Sequence, residues 1–447
     1  MSRIVITGGV VLTADDDSPV LRDVDVVIED DTIVSIAPGA ETTGAEVIDA
    51  SGSIVMPGLI DTHLHAWEYG WRGTVMRKNG PVDYMKLLFQ TSAGYSPQDV
   101  HDSIVGAGLE TIANGVTGVL DFMHGATGTA EHTDAAVEAY RVTGQRALLE
   151  IGALRANSAS DEDFSQSRAA RIADVARLRD ATRDDGLIDV GTALITPRPG
   201  PLWEMFVADV TESREIGARM TFHANEVGEF REMERSGLLG SDIVPSHGNR
   251  ASRHELKALA EHGVVLSVSP HTEINSGKSP GVFIRAVEQG VKVAISIDTP
   301  PSIMPLSEFA QLTQLWASVT TFDRLDAREG GRYELDFDLD PQSFTLEDAV
   351  QAATVNGAVA LGYDNLGRIA PGQLADVIVV RPTDAIALRD PAAYVVRATP
   401  HASEVSEVII GGTVRKRGGR LVAADSIDIP AMNARSQERV LAMIEDR

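Results

Sequence analysis

A chain of 447 residues with 43% hydrophobic content is too long for one small domain and apolar enough to bury a large core. Its net charge of −26 repels phosphate backbones and anionic membrane surfaces, so neither nucleic acid nor membrane is an expected partner. Cysteine is absent, which excludes disulfides and thiolate ligands and leaves histidine and carboxylate for any metal site.

The first 53 residues hold short β-type runs at 4–6, 10–13, 24–29, 32–36 and 46–49. Turn formers separate them, among them Gly8-Gly9, Asp30-Asp31 and Pro38-Gly39. Such close spacing predicts a small antiparallel β unit. The N-terminal stretch lacks the features of a signal peptide, and no apolar run approaches the roughly 20 residues of a membrane span. A cytoplasmic protein is expected.

From Ile54 the pattern changes to strand–helix alternation, with strand-like runs at 54–60, 115–122, 146–153, 187–195, 219–223, 243–246, 264–269 and 291–297. Eight such units predict a (β/α)₈ TIM barrel, an α/β fold. One intervening helix is well marked: Ser96-Pro97-Gln98-Asp99 opens it and Asn114-Gly115 stops it. The longest connection, 66–96, carries Trp67, Tyr69, Trp71, Arg72, Tyr84, Met85 and Phe89. It is expected either to fold over the barrel mouth or to pack on its own side chains. A capping-box-like start at Thr345 opens a helix running to about Leu361. β character then returns at 375–380, 405–410 and 413–416. The expected organisation is a β-sandwich of 1–53 and 366–430, a metal-dependent barrel of 54–365, and a helical tail of 431–447.

Functional groups of such barrels sit at the C-terminal ends of strands. The first strand ends in His63-Leu64-His65, two histidines at i and i+2 that share a face. The fifth ends in His223-Ala224-Asn225-Glu226, the sixth in His247 and the eighth in Asp298. His63, His65, His223 and Asp298 form a nitrogen-and-oxygen set suited to one divalent ion, zinc first and ferrous iron second, with room for water. Such an ion lowers the pKa of bound water from 15.7 to about 7, generating hydroxide. Glu226 can then carry a proton from that water to a leaving group. His247 can bond the same water or polarise a substrate.

The run Pro57-Gly58-Leu59-Ile60-Asp61-Thr62-His63-Leu64-His65, followed by His223-Ala224-Asn225-Glu226, His247 and Asp298, resembles the amidohydrolase superfamily. More narrowly it is similar to the cytosine deaminase-like branch, which includes S-adenosylhomocysteine deaminases and triazine hydrolases. Leu366 to Val377 and Val408 to Gly412 resemble that branch's return to the sandwich. The resemblance implies a mononuclear site at His63, His65, His223 and Asp298, with proton transfer at Glu226 and His247 and catalytic use of Asp298. It also implies a small-molecule substrate and a homodimer. Binuclear members use a carboxylated lysine on strand four; 187–199 contains none.

Two segments depart from the branch. After strand seven stands Ser269-Pro270-His271-Thr272-Glu273, and after Asp298 stands Thr299-Pro300-Pro301-Ser302. His271 and Glu273 are expected to contact the substrate, or to pair with each other or with Arg285. Trp71, Arg72, His124 and Ser302 complete the candidate substrate contacts. The expected function is metal-dependent deamination of an amino-substituted purine, pyrimidine or triazine by metal-hydroxide attack. The alternative is hydrolysis of an amide, carbamate, urea or halide on the same scaffold.

Overall fold

The computed structural model describes residues 2–445 apart from 16, 74–83, 93, 154–160, 276–280, 303–304 and 330–343. At 85–86, 89–90, 161–166, 281, 322–329 and 444–445 it describes the backbone alone. The side chains of Met85 and Phe89 therefore lie outside the described residues. So does part of the segment expected over the mouth.

Eight parallel strands form one sheet in sequence order: β1 (Leu59–Leu64), β2 (Val116–Met123), β3 (Arg146–Gly152), β4 (Ile188–Ala193), β5 (Met220–Ala224), β6 (Ile243–His247), β7 (Val265–Val268) and β8 (Lys292–Ile295). Helices alternate with them, as strand order without crossovers requires. The sheet curls until its edges meet at a single parallel bridge, Leu64 with Asp298. There His65 donates its backbone N–H to Asp298 O (3.0 Å), and the Asp298 N–H bonds His63 O (2.8 Å).

The first barrel strand starts later than the sequence suggests. Ile54–Pro57 pairs antiparallel with Val377–Val380 in a separate seven-stranded sheet, and β1 begins only after Gly58. The crossing works because Gly58 has no side chain: a Cβ there would lie 2.1 Å from Thr117 Oγ1. Strands from both chain ends share that outer sheet, and Arg3–Thr7, Asp25–Glu29, Thr32–Ala37 and Glu46–Asp49 form a four-stranded one. Ile4, Ile6, Ile28, Val55, Val379 and Ile409 pack in one buried core. The N-terminal unit is not purely antiparallel, since Arg3–Thr7 pairs parallel with Glu46–Asp49, and Val10–Leu12 with Ile54–Pro57.

The N-terminal end of the barrel is closed by an apolar layer of Ile60, Leu120, Leu148, Val244, Val265 and Ala294, capped by Ala358 and Leu361. The last two belong to a short helix, Val355–Leu361. The expected helix from Thr345 is in fact two, because Leu346–Ala352 ends before Thr354, whose φ of −135° and ψ of −83° are not helical. Thr345 and Asp348 do form a capping box, as do Ser96 and Asp99 at the head of Pro97–Ala113; each cap contributes about 1 kcal/mol. The C-terminal helix, Ile429–Glu445, packs on Pro97–Ala113, where Arg439 bonds Asp99 (2.6 Å) and Asp102 (2.7 Å). No helix among the described residues is long and apolar enough to cross a membrane.

Candidate active site

The strand ends bring five of the predicted residues together. His63 lies inside β1, His65 just beyond it, His223 in β5, His247 at the end of β6, and Asp298 after β8. Asp298 Oδ1 is 3.3 Å from His63 Nε2 and 3.5 Å from His65 Nε2. His65 Nε2 and His223 Nε2 are 3.3 Å apart. Tetrahedral ligands with bonds of about 2.1 Å stand about 3.4 Å from one another. Three pairs of this four-residue cage stand near that spacing, and His63, His65 and Asp298 form one group able to hold a divalent ion, with His63, His223 and His247 a second that shares His63. The chemistry of the set agrees, because imidazole nitrogens and a carboxylate are ligands that a divalent ion takes.

The far side of each ring is held. His65 Nδ1 bonds Phe122 O at 2.8 Å, and His63 Nδ1 bonds Ser246 Oγ at 2.9 Å. Such outer contacts set which nitrogen faces a metal. Beneath them, buried Asp61 accepts the N–H of His63 (3.0 Å) and of Ile297 (3.3 Å), tying β1 to the end of β8. Burial pushes the imidazoles of His65 and His223 well below their usual range, and the neighbouring histidines push them further. Burial opposes the charge of Asp298, but the His63 hydrogen bond and the surrounding rings hold its carboxyl below the ordinary range. The shifts favour neutral His65 and His223 rings and an ionised Asp298, the forms that bind a metal.

His247 and Asp298 both have left-handed backbone, with φ of 75° and 74°. Non-glycine residues hold such conformations only where their surroundings enforce them. The His247 ring stacks on His223 with centroids 5.7 Å apart, and a nitrogen of His247 lies close enough to His63 and His223 to share an ion with them. Its Nδ1 faces Glu273 Oε1 at 3.4 Å. Glu273 also accepts the Ser269 N–H (3.0 Å). Arg285 donates to Ala251 O.

Glu226 stands at the exit of β5, partly exposed, and its Oε1 accepts a 2.8 Å hydrogen bond from Arg198 Nε. His124 lies against the cage, its ring centroid 4.3 Å from that of His65, and burial lowers its pKa to about 4. Asp121 points elsewhere: it holds the Ala66 N–H (3.1 Å) and the Tyr140 hydroxyl (2.8 Å), and burial raises its pKa to about 7.

The remaining candidates have partners of their own. Trp71 is fully buried and stacks on Tyr84. The Arg72 guanidinium is committed to Glu110 and to the Tyr69 hydroxyl, so its charge is not presented to a ligand. The His271 backbone N–H bonds Gln311 Oε1 (3.0 Å). Ser302 is bonded to Thr299. Four participants escape a sequence reading: Ser246, Phe122, Arg198 and Glu68. Strand alternation alone could have flagged Ser246, which shares the inward face of β6 with Val244. Arg198 sits in an irregular segment and Glu68 in a short 3-10 helix, where no strand period points inward.

The amidohydrolase family's sequence model matches residues 54–415. A 5-methylthioadenosine/S-adenosylhomocysteine deaminase of Natronomonas pharaonis is 29% identical, over 93% of this chain and 92% of its own length. A 5'-deoxyadenosine deaminase of Methanosarcina mazei is 26% identical, over 99% of this chain and all of its own. Among solved structures, a zinc-bound adenosine deaminase from Xanthomonas campestris superposes with a TM-score of 0.78 at 21% identity, covering 99% of each chain. A zinc complex of atrazine chlorohydrolase from Arthrobacter aurescens gives 0.79 at 20% identity, covering 98% of this chain and all of the other.

Proposed function

The chain belongs to the amidohydrolase family, and we propose that within it the chain is a zinc-dependent deaminase of an adenine nucleoside or a related amino-substituted heterocycle. The observation that carries the reading is the cluster of His63, His65, His223 and Asp298 at the strand ends, with His247 beside it. Relatives named as deaminases of adenosine derivatives support the purine class.

The four cage residues would hold the ion, and His247 stands near enough to assist. When bound, a divalent ion supplies Lewis acidity that makes water reactive near neutral pH. Arg198 holds Glu226 by Oε1, which leaves Oε2 to take a proton from water and return it to the substrate. Glu273 holds His247 by Nδ1 and so turns Nε2 toward the reacting centre. Burial of the cage strengthens each of these interactions relative to bulk water.

The test is ammonia release by zinc-loaded protein from adenosine, 5'-deoxyadenosine, 5-methylthioadenosine, S-adenosylhomocysteine, an aminopyrimidine and an aminotriazine. Release from at least one purine is expected. Amide or carbamate hydrolysis with no ammonia from any of the six would overturn the reading. Metal analysis of protein grown without supplement separates zinc from iron. The proposal includes a cytoplasmic homodimer, the usual state of similar proteins, which light scattering and cell fractionation test.

A further inference from the structure

Glu68 follows His65 by three residues, in the 3-10 turn Ala66–Trp71, and is fully buried. Its Oε1 accepts a hydrogen bond from the Tyr84 hydroxyl at 2.7 Å. Among the described residues its Oε2 has no hydrogen-bond partner. Buried polar atoms are bonded as a rule, and an exception points to a partner that comes and goes. Ligand atoms of Glu68, His65 and His124 all lie within 4.8 Å of one another, so the Glu68 carboxylate is on the flank of the metal cage.

A second cation is one partner to consider, and the donor count argues against it. His65 cannot serve two ions, because Nδ1 holds Phe122 O and Nε2 faces Asp298 and His223. Only Glu68 and His124 remain, too few ligands for a protein metal site. A hydrogen-bond donor on the substrate meets the need with one contact.

We propose that Glu68, steadied by Tyr84 and flanked by His124, is the leaving-group subsite, where Oε2 accepts an N–H of the departing amine. The inference rests on the deaminase reading above. In that reaction a C–O bond forms and the C–N bond breaks, its electron pair going to the departing nitrogen. One water proton ends on the ring nitrogen. The other ends on the departing nitrogen, which leaves as ammonia. An acceptor beside the amine turns its N–H bonds outward and its developing lone pair toward the proton carrier. A chloride leaving group has no N–H and gains nothing from Oε2.

The experiment compares zinc-loaded wild type and Glu68→Gln on adenosine and on 6-chloropurine riboside, with Tyr84→Phe as a milder second variant. Glu68→Gln is expected to lower kcat/KM for adenosine about 10–100-fold, the scale of losing a positioned outer contact, and to change the chloro substrate less than about threefold. Tyr84→Phe is expected to change the two substrates in the same order, by less. A second readout needs no turnover: tryptophan fluorescence during titration with ammonium chloride against sodium chloride. Trp67 lies 5.8 Å from the His124 ring and can report it. Wild type is expected to respond to ammonium and Glu68→Gln is not. Equal losses on both substrates, no loss on either, or the same ammonium response in both proteins would overturn the subsite. So would two zinc ions per wild-type chain falling to one in Glu68→Gln. If wild type releases ammonia from none of the six amines above, the deaminase reading fails, and the ammonium titration alone decides for or against Glu68.

Discussion

At the N-terminal end of the barrel, Ile60, Leu120, Leu148, Val244, Val265 and Ala294 meet in a dry layer beneath the Val355–Leu361 helix. A few residues further along the same strands stand His63, Phe122, Ser246 and Asp298. The first end follows every local rule of strand packing. The second breaks several: it buries ionisable groups, crowds imidazoles, and holds His247 and Asp298 in left-handed backbone. Each such residue costs on the order of 1–3 kcal/mol, and the apolar floor supplies stability that offsets it. The difference teaches that this barrel separates holding from reacting along the length of its strands, not between domains.

Substitutions at the two ends should therefore fail in different ways. The largest effect is expected from Asp298→Ala, which removes one ligand of the cage; zinc content, read by mass spectrometry, should fall from about one per chain toward zero, and turnover with it. Glu226→Gln should lower kcat by about 10²–10⁴ while zinc stays bound, since only the proton carrier is lost. A variant that loses its zinc as well would place Glu226 among the ligands. At the floor, Leu148→Ala should cost about 2–5 kcal/mol in chemical denaturation, with metal content unchanged; a selective loss of activity there would erase the contrast between the ends. Ser246→Ala and Glu273→Gln touch only the far sides of His63 and His247, so metal affinity or rate should drop about 10–100-fold. The smallest effect is expected far from both ends, at the exposed pair of Arg183 with Asp180. Arg183→Ala should change stability by less than about 1 kcal/mol, because solvent screens such pairs.

The barrel was legible in the sequence because its strands repeat at regular spacing, and the cage because histidine and aspartate stand at the ends of those strands. Periodicity could not see Gly58, where one apolar run serves two sheets. The break before Thr354 was invisible for a similar reason: Leu346–Ala352 and Val355–Leu361 both have helical composition, and tertiary packing decides where the axis turns. Arg72 looked like an anion contact beside the metal strand. Glu110, 38 positions away, takes its charge, and only the folded chain brings the two together. Glu273 was singled out in the sequence, but its partner was not, because the pairing with His247 joins the ends of two neighbouring strands.

The lone bridge between Leu64 and Asp298 has a consequence for the order of assembly. Asp61 and Ile297, bonded at that seam, are 236 positions apart. A chain emerging from its N-terminus has His63 and His65 early but lacks the carboxylate until the last strand has docked. Half-made chains can therefore offer imidazoles from β1, β5 and β6 but not the Asp298 carboxylate, and the full ligand set is complete only at the step that shuts the barrel. On the proposed reading, an ion held by all four residues would report that the ring has closed.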